Sequence, residues 1–254
     1  MNAVHLGNGI VYFKDVFTFD NDYFSSFVER LHDTDRRHEQ VVAKEDEAYV
    51  LTEGGYRITR NDADYAPRRF SKLTNLNQED KKFIEEVRDA IHSCVVEYCK
   101  VFPIVIENIR WATNGYVIKY ENGQSIGAHS DCNIAYAEDG VTPVNSFPMQ
   151  NILTCGLFFN DDFEGGTVSY RPWGISVRPK PGSVLIYPSS YMGCHEVAAV
   201  TEGTRYAYLC WYGQGPINSS DHRMTDQIKK ETGYETVNTN SAQRFVPVGA
   251  IKLS

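Results

Sequence analysis

The sequence predicts a mainly β protein with helices in its N-terminal part: a jelly roll, or double-stranded β-helix, with the helices packed on one of its sheets. Two observations point to this class. From residue 110 onward the chain breaks into short segments rich in Val, Ile, Tyr, Phe and Thr, bounded by Gly, Asn, Asp and Pro, which is the texture of strands and turns. Upstream of that point, two segments carry apolar residues at helical spacing. A chain of 254 residues, 42% hydrophobic and 23% charged, has globular composition and enough length for one sizeable core.

The first helix is predicted over 20–33, where Phe24, Phe27, Val28 and Leu31 recur on one face behind Asp20 and Asp22. Residues 34–75 are polar, carry Gly54-Gly55 and Pro67, and read as a long mobile loop apart from a short strand at 48–51. A second helix is predicted over 78–99, with Ile84, Val87, Ile91, Val95 and Tyr98 as its stripe and the polar run from Asn77 to Asp80 at its start. His92 lies off that stripe and reads as a surface or packing residue. Strands follow at 111–120, 128–131, 152–160, 166–170, 175–178, 183–187, 195–200 and 205–212, a series of short strands that suits a jelly roll.

Long interruptions fall at 132–149 and after Gly213; the tail reads as extended or partly ordered. The expected organisation is a helical support region over 1–109, a jelly-roll core over 110–213 belonging to the same domain, and a C-terminal extension over 214–254.

The formal net charge of −8 repels a phosphate backbone, which disfavours nucleic acid as a partner. Arg57, Arg60, Arg68 and Arg69 form a local exception, but Asp62 and Asp64 interrupt them, and the stretch reads as a solvated loop. No apolar run approaches the roughly 20 residues needed to span a bilayer, and the opening MNAVHLGNGIVYF lacks a basic segment followed by a long apolar one. The expectation is no membrane partner and no export. Six cysteines without CxxC spacing read as free thiols in a reducing, cytoplasmic setting. Oligomeric state stays open.

His129-Ser130-Asp131 places two ligand types at i and i+2, and residues two apart on a strand project to the same side. His195 is the other histidine within the strand-rich part. Two imidazoles and a carboxylate would cover one face of an octahedral ion and leave three positions open; the plain alternative is a chance His-x-Asp on a polar surface. Arg205, ten residues after His195, lies in the apolar run Tyr206-Ala207-Tyr208-Leu209-Cys210-Trp211. Its planar fork suits a carboxylate held by two parallel hydrogen bonds, against the alternative of a solvated strand-edge arginine.

In order along the chain stand Lys119-Tyr120, His129-Ser130-Asp131, the run Leu157 to Thr167 with Gly165-Gly166, Pro179-Lys180-Pro181-Gly182 leading into Ser183 to Tyr187, and His195-Glu196-Val197. They end with Gly203-Thr204-Arg205-Tyr206 and Trp211. Between Tyr116 and Tyr212 this series resembles the prolyl 4-hydroxylase-like branch of the iron(II)/2-oxoglutarate-dependent dioxygenases. The resemblance implies iron(II) on His129, Asp131 and His195, 2-oxoglutarate anchored by Arg205, and O2 as oxidant, with ascorbate as reductant. It further implies that Tyr120 approaches the cosubstrate and that Trp211 lines the metal cavity. Where relatives can present a tyrosine to the distal carboxylate, this chain has Leu157-Phe158-Phe159, so Thr154, Tyr116 or water would supply the second donor.

The implied reaction is hydroxylation of a peptidyl residue, proline first, coupled to decarboxylation of 2-oxoglutarate to succinate and CO2, with a protein or peptide as partner. A small-molecule substrate, an alkylated nucleic acid or a non-catalytic binding module are the alternatives. The nucleic-acid branch carries a second arginine six residues after the first, where this chain has Trp211.

Glu164 reads as structural or exposed, and the glycines beside it and at Gly182 as turn formers. Cys132 and Cys194, each adjacent to a candidate ligand, should face away from it.

Overall fold

In the computed structural model, residues 2–31, 76–132, 151–214 and 223–234 are described with their surroundings, together with Leu73, the helical backbone of 32–34 and the backbone of short strands at 38–39, 51–52, 55–56, 69–72, 235–239 and 242–247. The excursion expected over 34–75 and the interruption over 132–149 therefore lie largely outside the described residues.

The chain opens with two paired strands, β1 (Asn2–Gly7) and β2 (Ile10–Lys14), which sequence reading did not anticipate. Asn8 and Gly9 between them both have positive φ, 52° and 75°, as a two-residue hairpin turn requires. Helices α1 (Asn21–Thr34) and α2 (Gln78–Val101) follow close to their expected bounds. Asn77 caps α2 by accepting from the Asp80 amide at 2.8 Å.

The second half contributes β3 (Tyr116–Tyr120), β4 (Ile126–His129), β5 (Asn151–Phe158), β6 (Val168–Tyr170), β7 (Ile175–Val177), β8 (Val184–Pro188), β9 (His195–Val197) and β10 (Arg205–Gly213). The predicted 111–120 strand is split at Thr113–Gly115, leaving Trp111–Ala112 as a separate short piece. The predicted 195–200 strand is likewise split, with Val200–Glu202 pairing elsewhere.

Two sheets face each other. The larger runs β1-β2-β8-β5-β10-β3 and continues through the strands at 69–72 and 38–39; the smaller runs β7-β6-β9-β4. Strand periodicity sorts the larger sheet's side chains between two cores. Val11, Phe13, Leu153, Cys155, Leu157, Val184, Ile186, Tyr208 and Cys210 pack against the helices. Their neighbours Ile10, Tyr12, Phe158, Leu185, Tyr187, Ala207, Ile118 and Tyr120 point into the roll. The helices thus seal one face of the sheet and leave the other to enclose a cavity.

α1 and α2 are tied to each other by a buried carboxylate. Asp80 accepts from Arg30 Nε at 3.1 Å and Arg30 Nη2 at 2.5 Å, and from the Tyr23 hydroxyl at 2.7 Å. Burial alone would raise the Asp80 pKa, but the Arg30 and Tyr23 bonds and the Arg30 charge outweigh it and lower it. Around this clasp Phe83 packs with Phe27 and Phe159, and the rings of Phe24 and Phe159 lie 4.6 Å apart.

In the tail, α3 (Arg223–Thr232) rests against α2, with His92 bonding Glu231 at 2.7 Å and Tyr212 at 3.3 Å. His92 is therefore a packing residue. Gly182, at φ 70°, meets the Phe17 backbone so closely that a Cβ would fall 1.9 Å from its carbonyl oxygen.

Asp80→Asn should destabilise the protein by about 2 kcal/mol, since Arg30 is partly solvated and the full penalty for breaking a buried pair does not apply. Because Asp80 has a lowered pKa, its contribution is present above the ordinary carboxylate range and lost as pH falls through the folded-state value. Denaturant midpoints measured through the acid range should fall less steeply for the variant than for the wild type.

Candidate metal and cosubstrate site

The site lies between the two sheets. β4 ends and β9 begins on paired residues, His129 opposite His195, which brings the imidazole centroids to 4.4 Å. Asp131 is set two residues past the end of β4: its amide donates to the Ser189 carbonyl at 3.1 Å and its own carbonyl accepts from Asn151 at 2.8 Å. One ligating atom from each of His129, Asp131 and His195 lies within 4.8 Å of the others, a spacing that could hold a metal ion.

Both imidazoles are oriented alike. His129 Nδ1 lies 2.8 Å from the Gly127 carbonyl and His195 Nδ1 3.0 Å from the Gly193 carbonyl. A carbonyl only accepts, so each Nδ1 carries a hydrogen and each Nε2 is the nitrogen available to a cation. His129 Nε2 faces Asp131 Oδ1 at 3.4 Å. Burial pushes the Asp131 carboxyl up, but the neighbouring His129 and His195 and the Thr154 hydroxyl overcome it and hold it at about 2. The carboxylate is thus ionised at neutral pH, as a metal ligand must be.

Arg205 enters from the opposite wall. It begins β10, paired with Tyr120 of β3, and so faces the triad from the larger sheet rather than from the strand beside His195. Its guanidinium lies over the rings of Tyr120 at 5.1 Å and Phe158 at 5.2 Å. The residue is 3% exposed, and its Nε has no hydrogen-bond partner among the described residues. Burial lowers its pKa, opposed by Tyr120 and Tyr187. A cation in that setting is costly unless an anion joins it. Gly166, at φ 62°, clears its path: a Cβ there would sit 2.9 Å from Arg205 Cδ.

Triad and arginine line one cavity of about 540 Å³, counting the space at its mouth. Tyr116, Tyr120 and Trp211 line it as well, the rings of Tyr116 and Trp211 being 5.4 Å apart. Thr154 goes elsewhere than the sequence suggested: its hydroxyl donates to Asp131 Oδ2 at 2.8 Å and lies 2.9 Å from Ser189 Oγ, beside the triad rather than beside Arg205. Glu164 is exposed and bonds Arg178, away from the triad.

Sequence reading missed Tyr187, whose hydroxyl is 3.1 Å from His195 Nε2 and 3.3 Å from Asp131 Oδ2. A signal existed, because Tyr187 shares the inward parity of Leu185 on β8. It also missed Ser189, which nothing local distinguishes, and Tyr170, whose fully buried ring lies 5.8 Å from that of His195.

Residues 115–213 match the family model of the 2OG-Fe(II) oxygenase superfamily. A PKHD-type hydroxylase of Acinetobacter baumannii is 31% identical over 97 residues, covering 37% of this chain and 40% of that protein. Human prolyl 3-hydroxylase 2 is 30% identical over 95 residues, covering 33% of this chain and 13% of that one. This chain thus spans about two fifths of the length of the PKHD-type relative. Among solved structures, a Trichoplax adhaerens prolyl hydroxylase in complex with a hypoxia-inducible-factor peptide fragment superposes with a TM-score of 0.52 at 14% identity, over 82% of this chain and 84% of that one, a likeness of fold. The segment that carries the triad, the arginine and the cavity therefore matches the 2OG-Fe(II) oxygenase family model and is similar to prolyl hydroxylases, in line with the motifs between Tyr116 and Tyr212.

Proposed function

We propose that this protein is an iron(II)- and 2-oxoglutarate-dependent dioxygenase that hydroxylates a peptidyl residue, proline foremost. The observation that carries this reading is the pairing, across one cavity, of a His-Asp-His cluster with a buried arginine whose Nε has no partner among the described residues. Such a donor set fits a small dicarboxylate spanning from a divalent cation to a guanidinium. His129, Asp131 and His195 would hold iron(II), and Arg205 the far carboxylate of 2-oxoglutarate.

Bound together, these groups supply oxygen activation: one atom of O2 ends in succinate, the other in the hydroxyl replacing a substrate C–H hydrogen, and CO2 leaves. The chain's own work is placement. The two Nδ1–carbonyl bonds fix the Nε2 atoms, Tyr120 and Phe158 fix the plane of Arg205, and the inward apolar side chains keep water from the reacting atoms. Tyr116 and Trp211 contribute to the cavity lining. A proline-bearing peptide as substrate is favoured by the likeness to prolyl hydroxylases, and ascorbate is proposed as the reductant that keeps the iron divalent.

Succinate formation from 2-oxoglutarate, followed on admitting oxygen to anaerobically iron-loaded protein with ascorbate, should be abolished by His129→Ala and raised by at least one member of a proline-containing peptide panel. Turnover that no peptide raises would remove proline and leave the oxygenase; absence of any turnover would favour a binding module. Arg205→Lys should weaken 2-oxoglutarate by roughly 10- to 100-fold, the scale of a lost paired, charge-assisted hydrogen bond. Its divalent-metal affinity, measured on the same preparation by equilibrium dialysis, should be unchanged.

A further inference from the structure

Resting on that reading, we infer that Thr154, backed by Ser189, is a positioning residue for the metal ligand Asp131 and not a donor to the cosubstrate. Asp131 follows the last residue of β4 by two and lies outside any strand, so ladder hydrogen bonds do not fix it. What fixes it is a clamp from the larger sheet. Its amide donates to the Ser189 carbonyl at 3.1 Å, its Oδ2 accepts from Thr154 Oγ1 at 2.8 Å, and Thr154 Oγ1 lies 2.9 Å from Ser189 Oγ. The two hydroxyl residues are held by the sheet itself: Leu153, next to Thr154, pairs with Pro188, next to Ser189, and the Ser189 amide donates to the Ile152 carbonyl at 2.9 Å.

Thr154 and Ser189 are 0% and 1% exposed, so water does not compete for these bonds. The hydroxyl that occupies Oδ2 leaves Oδ1 turned toward His129 Nε2, at 3.4 Å, which is the side where a cation shared with His129 would sit. Tyr187 adds a longer contact to the same Oδ2, at 3.3 Å. A threonine with its hydroxyl committed to Asp131 and Ser189 has no hydrogen left for a carboxylate on Arg205.

The test is Mn(II) binding followed by the electron paramagnetic resonance signal of the free ion, with 2-oxoglutarate affinity then measured on metal-saturated protein. Thr154→Val should weaken Mn(II) by about 10- to 100-fold, the usual effect of removing a hydrogen bond to a ligand. Thr154→Ser, which keeps the hydroxyl, should restore wild-type binding, and 2-oxoglutarate affinity at saturating Mn(II) should be equal in all three. Ser189→Ala should shift Mn(II) binding in the same direction and provides the reading if Thr154→Val does not fold. Wild-type Mn(II) affinity in both Thr154→Val and Ser189→Ala, or a loss seen in 2-oxoglutarate affinity instead, would overturn the inference while leaving the oxygenase reading in place. A wild-type protein that binds no Mn(II) would overturn both.

Discussion

A guanidinium buried against aromatic rings in the wall of the cavity, with no hydrogen-bond partner for its Nε among the described residues, is the constraint around which the molecule is organised. Burying a cation costs several kcal/mol unless an anion shares the site. The cost is tolerated because two aromatic faces, Tyr120 and Phe158, partly offset it and because Gly166 leaves space for the side chain. Everything else in the roll can be read as holding that charge at the correct remove from three candidate metal-ligating atoms.

The larger sheet does this through parity. Its helix-facing residues are consumed in packing α1 and α2, and the clasp of Asp80 by Arg30 and Tyr23 keeps that layer closed. Its other face is then free to present Arg205, Tyr120, Tyr187 and Thr154 toward the smaller sheet, which carries the two histidines on paired strands. The candidate ligands come from separated parts of the chain, and the register of β4 with β9 is what makes them neighbours. A slip of one residue in either strand would turn the imidazoles away.

Much of this was legible in the sequence. The stripes of α1 and α2 gave their bounds to within about two residues, since both helices bury one face on the sheet and their periodicity is strong. His129, Asp131, His195 and Arg205 could be singled out because their chemistry is unusual for strand positions. The opening hairpin was not seen although Asn8-Gly9 signals it, because β1 is mostly exposed and its strand pattern is weak. Thr154 stood with Tyr116 and water as a candidate second donor to the cosubstrate; its hydroxyl bonds Asp131, a partner 23 residues away that only sheet pairing could reveal. Ser189 was hidden for the same reason, whereas the parity of β8 turned Tyr187 inward without showing which groups it would meet.

The central claim is that one small molecule bridges the metal cluster and Arg205. Calorimetric titration of the Mn(II)-loaded protein with 2-oxoglutarate and with glutarate, which has both carboxylates but lacks the keto oxygen, tests it directly. The account predicts that 2-oxoglutarate binds far more tightly than glutarate, and that the difference vanishes when Mn(II) is withheld. Equal binding of the two with Mn(II) present, or no binding of either, would contradict it.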